Sequence, residues 1–110
     1  MTHEECVKHH REIHAPMVAR SALGRSIKKY VGHYPEQAQG WTMSPDGTPK
    51  GIAVESPYDV IAELWFDEDT YKNLGEFRKS PEGRAINQDE GNWMDRKKMV
   101  TIVFEDNVII

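Results

Sequence analysis

Apolar and polar positions first follow a helical period. Cys6, Ile13 and Met17 fall on one stripe, with Val7 and Val18 on its shoulder, while Lys8, Glu12 and Ala19 face away. Thr2 followed by Glu5 forms a capping box at the start, and Glu4 and Glu5 suit a helix N-terminus. Pro16 lacks an N–H and collides with the carbonyl four residues earlier, so the spacing predicts a kink there or a helix re-formed as a short segment, and Gly24 is a stop. The period then changes to two. Ile27–Tyr34 reads as a strand with Lys29, Val31 and His33 on one face and Tyr30, Gly32 and Tyr34 on the other. Pro35–Pro57 reads as a long polar loop holding the turn Ser44-Pro45-Asp46-Gly47, either a lid or an insertion. Tyr58–Asp67 is the clearest strand: Tyr58, Val60, Ala62, Leu64 and Phe66 oppose Asp59, Ile61, Glu63 and Trp65.

A second helical region follows. Asp67 can cap a helix over 68–79, and Ser80-Pro81 opens another running towards Asp89 or Trp93. Met99–Glu105 reads as a last strand, with Val108–Ile110 as an apolar tail. The order is α-β-β-α-β within a single domain over residues 1–110, without repeats.

Composition narrows the function classes. A net charge of −4 and a pI near 5.7, with no basic stripe interleaved with aromatics, argue against nucleic acid. Apolar runs are too short to span a membrane, and the N-terminus lacks the basic and apolar regions of a signal peptide. The single cysteine, Cys6, fits a cytoplasmic protein and an inert packing role.

The candidate chemistry lies in His9–Pro16, where three of the five histidines fall. His10 and His14, four apart, lie about 40° apart on an α-helix. Imidazoles titrate near neutrality, so His14, at the kink, is the first candidate for a general acid/base. Its alternative is to pack on Pro16 and bond a backbone carbonyl. His10, in the centre of the stripe, reads as a hydrogen-bonded core residue or a second proton handler. His33, beside the long loop, is a third catalytic candidate, and His9 reads as structural. No metal is expected, because the sequence singles out no third ligand beside His10 and His14. Tyr30, Tyr34, Trp65 and Trp93 are candidate ligand-binding side chains, against a core role. Asp59 and Glu63, about 13 Å apart along one strand, are too distant for a coupled carboxylate pair.

Glu4-Glu5 to His14-Ala15-Pro16, Lys29-Tyr30-Val31, Asp59 with Ala62–Asp67, and Ser80-Pro81-Glu82-Gly83 followed by Asp89 and Trp93 resemble, in this order, the EthD family of the dimeric α+β barrel superfamily. The resemblance implies an α+β, ferredoxin-like antiparallel sheet with helices on one face and a homodimer packed on the other. It further implies a small-molecule ligand and histidine chemistry without a cofactor, of the isomerase, cyclase, dehydratase or decarboxylase type. A non-catalytic accessory or ligand-binding protein of a degradation pathway is the other reading. The chain departs from the family at His10, where an aromatic residue is usual, and at His33, where an amide is usual. Met1-Thr2 also stands where relatives continue from a first strand. That central strand is therefore expected to be missing from this chain, which would leave the last strand's backbone unpaired.

Overall fold

The computed structural model describes residues 1–36, 38–106 and 109. Helix α1 spans His3–His9 and begins as the capping box requires, with the Glu5 N–H donating to Thr2 Oγ1 at 3.2 Å. The next five residues, His10–His14, form one turn of π-helix, in which the Ala15 N–H reaches back to the His10 carbonyl. The chain then continues as α2, Ala15–Arg20, with Pro16 in its first turn. Of the kink or re-formed short segment expected at Pro16, the second forms, after a widened turn that relieves the clash Pro16 would make with the Glu12 carbonyl.

The wider turn also changes helical phase. His14 rotates into the core at 5% exposure, while Ile13, expected on the buried stripe, turns outwards at 49%. Ser21 takes an extended conformation and accepts from the Gly24 N–H, starting α3 at Ala22–Ser26. Gly24 therefore lies within a helix and does not end one.

Strands β1 (Lys29–His33) and β4 (Ile61–Trp65) pair antiparallel, with Tyr30 opposite Leu64 and Gly32 opposite Ala62. Alternation puts Tyr30, Gly32 and Tyr34 towards the π-turn, and Lys29, Val31 and His33 on the outer face with Ile61, Glu63 and Trp65. Between them the chain folds where a loop was expected. β2 (Ala38–Met43) and β3 (Pro49–Val54) form a separate hairpin. Its turn is closed by Gly47 N–H to the Ser44 carbonyl, with Gly47 at φ 84°, which glycine adopts without a Cβ clash. Trp41 and Met43 on this arm are 68% and 63% exposed. The radius of gyration is 17.4 Å, against about 13 Å for a compact chain of this size.

Asp67 caps α4 (Glu68–Lys72) through the Thr70 N–H at 2.8 Å, as expected. The single helix expected over 68–79 breaks at Asn73, whose side chain donates to the Asp69 carbonyl. The chain resumes as α5, Leu74–Lys79. Helix α6, Pro81–Trp93, starts at Ser80-Pro81 and ends at the indole that the sequence offered as its limit. The expected strand Met99–Glu105 does not form. A strand exists only through its ladder, and the ladders among the described residues, β1–β4 and β2–β3, do not include this segment. Val100, Ile102, Val103 and Phe104 are accordingly exposed. The expected apolar tail lies outside the described residues except for Ile109, which is exposed.

The fold is α+β, an antiparallel sheet with helices, compatible with a ferredoxin-like arrangement. Its core is unusual in content. Among the described residues, Cys6 and Val18 are the buried apolar side chains, whereas His10, His14, Ser21 and Asp89 are buried polar ones. The deepest side chain is His10, at 1% exposure.

Candidate functional site

Three elements converge on the buried histidines: the α1 end with its π-turn, strand β1, and the last turns of α6. Asp89 and Trp93 are four apart on α6, so both face the same neighbour. Asp89 accepts from His14 Nδ1 at 2.9 Å and from His9 Nε2 at 2.9 Å. Asn92 Nδ2 donates to it at 3.2 Å. One carboxylate thus bridges two imidazoles. Burial by itself would raise the Asp89 carboxyl, but the donors from His14, His9 and Asn92 outweigh it and hold the group below the usual carboxylate range.

An ionised Asp89 can only accept, so His14 carries its hydrogen on Nδ1. In the neutral ring Nε2 then carries the lone pair, which is the arrangement a general base requires. Trp93 holds both rings in place, its centroid 5.0 Å from that of His14 and 5.1 Å from that of His10. The indole N–H of Trp93 is buried and donates to no group among the described residues. Behind the indole, the Cys6 thiol donates to the Trp93 carbonyl at 3.5 Å, and burial pushes that thiol up, in keeping with an inert packing residue.

His10 has different chemistry. Its Nδ1 lies 2.8 Å from the Tyr34 hydroxyl and its Nε2 3.3 Å from the Tyr30 hydroxyl. Burial, with smaller contributions from His14 and His9, pushes His10 down to about 4, so it is neutral at pH 7. Burial likewise pushes Tyr30 up to about 12 and raises Tyr34. The chain Tyr30–His10–Tyr34 is therefore wholly uncharged near neutrality.

Of the residues singled out in the sequence, the structure brings together His10, His14, Tyr30, Tyr34 and Trp93. It does not bring in His33 or Trp65, which strand alternation puts on the outer face. His33 Nε2 lies 3.3 Å from Glu63 there, with both side chains well exposed. Trp65 donates to Asp106 at 2.9 Å, and the Lys29 ammonium stands 4.9 Å over its ring. Sequence reasoning missed Asp89 as a partner of the histidines. The available signal was its spacing of four from Trp93, matching the spacing of His10 and His14. His9, read as structural, joins the same carboxylate.

Among the described residues no group of three His, Cys, Asp or Glu side chains is arranged to hold a metal ion. Two open cavities of about 350 Å³ are lined by residues other than the cluster's histidines. One lies between Leu23 and Phe77, and the other runs from Cys6 to the outer side of Trp93. No helix among the described residues is long and apolar enough to cross a membrane. No curated protein and no solved structure matches this chain. The EthD domain does match, over residues 1–97 of 110, and on that extent the chain belongs to the EthD domain family.

Proposed function

We propose that this protein is a cofactor-independent enzyme acting on a small hydrophobic, oxygenated compound, with His14 as general acid/base. The observation that carries the reading is the buried Asp89–His14 pair. Asp89 fixes the hydrogen on Nδ1, aims Nε2 and stabilises the imidazolium that forms when Nε2 takes a proton. That proton, taken from carbon beside a carbonyl, can return to a different carbon in an isomerisation. It can instead go to a departing hydroxyl in a dehydration. General acid/base assistance of this kind contributes about 10²–10⁴ in rate.

The subunit is proposed to work as a homodimer through the outer face of Val31, Ile61 and Trp65, on which Ile61 is exposed. A cytoplasmic setting suits its free Cys6 thiol.

Deuterium exchange tests the reading. The protein is incubated in D₂O with a panel of unsaturated lactones and aromatic ketones, and loss of their α-hydrogens is followed by NMR. Exchange by the wild type that disappears in folded His14→Gln is expected. Exchange that survives that substitution refutes the assignment. A second reading, a non-catalytic ligand-binding protein, is favoured by the position of the 350 Å³ cavities away from His14. Native mass spectrometry of protein from its own host separates the two, because a carrier retains its ligand and catalyses no exchange.

A further inference from the structure

The Tyr30–His10–Tyr34 chain has one hydrogen too many for its own contacts. A neutral imidazole has one donor nitrogen and one acceptor, and each phenol has one hydrogen. Two contacts consume two of these three hydrogens, so one hydroxyl always has its O–H free to donate elsewhere. If Tyr30 donates to His10 Nε2, then His10 Nδ1–H donates to Tyr34, and the free O–H belongs to Tyr34. With the opposite polarity it belongs to Tyr30.

The surroundings favour the first polarity. Tyr34 is half-buried at the end of β1, where an outside acceptor can approach it. The Arg11 guanidinium on the π-turn acts on the Tyr34 oxygen in the sense that favours negative charge, whereas Glu90 acts on Tyr30 in the opposite sense. Gly32, between the two tyrosines on the same face, makes the arrangement possible. A Cβ there would stand 2.8 Å from the Tyr34 hydroxyl and 3.4 Å from the His10 ring. The missing side chain is the space into which Tyr34 folds back to meet His10.

We propose that Tyr34 is a hydrogen-bond donor to a negatively charged oxygen of the ligand, backed in series by His10 and Tyr30, and that the ligand passes through an enolate or phenolate. The catalytic consequence rests on the preceding reading of His14 as the base, since a base at carbon and a donor at oxygen together promote enolisation. Hydrogen bonds in series polarise one another, so the backing residues strengthen the Tyr34 donor without ionising it. Preorganised donors aimed at developing negative charge are a principal source of rate enhancement. No proton needs to leave the chain: the oxyanion accepts the Tyr34 hydrogen bond while the charge exists and releases it when the charge collapses.

The probe is 2-naphthol with a set of ring-substituted naphthols of graded acidity, titrated against the full chain by fluorescence. The wild type is expected to bind them more tightly as the naphthol becomes more acidic. Tyr34→Phe and Gly32→Ala should each weaken binding about 10-fold, the loss expected for one hydrogen bond to a charged acceptor. Tyr30→Phe, which removes only the backing, should weaken it about 3-fold. Tyr71→Phe, on a remote exposed ring, should leave it unchanged. Far-UV circular dichroism and melting confirm that each variant folds. Wild-type protein that fails to bind any naphthol at millimolar concentration overturns the proposal, as does Tyr34→Phe binding with wild-type affinity. If Tyr34→Phe binds normally while His14→Gln loses deuterium exchange, the oxyanion contact fails and the base assignment stands. If Tyr34→Phe loses naphthol while His14→Gln keeps exchange, the oxyanion contact stands and the base assignment fails.

Discussion

Replacing Asp89 by Asn removes the charge on which two imidazoles converge while keeping the shape of the side chain. Asp89 is 8% exposed and accepts from His14 and His9 at 2.9 Å each, the His14 contact buried and the His9 contact partly so. Removing one partner of a buried pair costs about 3–5 kcal/mol, and a hydrogen bond to a charged group contributes about 1.5–3 kcal/mol. An amide can still accept from one imidazole, which places the expected loss for Asp89→Asn near 3 kcal/mol at pH 7. In a domain of this size that corresponds to a melting temperature lower by roughly 12 °C or more.

The pH dependence carries its own sign. The folded carboxyl lies below its unfolded value, so its stabilisation is complete above about pH 4 and is lost as pH falls through the folded value. Urea unfolding of both proteins should therefore show a gap that is constant near neutrality and closes in acid, where Asp89 is protonated and resembles Asn. A gap under about 1 kcal/mol at pH 7, or one that persists undiminished below about pH 2, would refute the bridging role.

Three further outcomes follow from the same geometry. His10, held down to about 4, contributes stability that is present above about pH 6.5 and lost between there and pH 4, by an amount near 3 kcal/mol. NMR titration of its ring should show a midpoint near 4, and a midpoint near 6.5 would contradict its burial as a neutral relay. Gly32→Ala should cost only about 1 kcal/mol in urea, because the atom it displaces is the movable end of Tyr34. A loss several times larger would mean that the strand itself cannot accept a side chain there. Replacing Ala38–Val54 by a short Gly-Ser turn should change stability by less than about 1 kcal/mol, since the arm forms its own sheet. Loss of cooperative unfolding in that variant would show that the hairpin supports the histidine cluster.

Much of the frame was legible from local chemistry. Caps at Thr2 and Asp67 depend on a side chain meeting a backbone N–H within three residues and form as read, and the helix read as opening at Ser80-Pro81 starts there, with Ser80 as its cap. The hairpin was less legible. Its Asp46-Gly47 turn was visible, but both strands are exposed and contain Gly40 and Gly51, so no buried face marked them as strands. The segment 99–105 carried the opposite signal: its composition is that of a strand, yet a strand requires a ladder and those among the described residues do not include it.

The sequence by itself determined the positions whose physics is local. Pro16 forces the helix to depart from α geometry, and the period of two separates Tyr30 and Tyr34 from His33, whereas the pairing of Lys29 with Trp65 that puts the indole on the outer face came from the structure. Only the tertiary structure decided what the histidines do. Widening the turn at His10–His14 changed which residues face inwards, and the approach of α6 brought Asp89 to His14 across 75 positions of chain. Local pattern could mark Asp89 only by its spacing from Trp93 and could not assign it to an imidazole 75 residues away, because that effect depends on distance in space and on the exclusion of water.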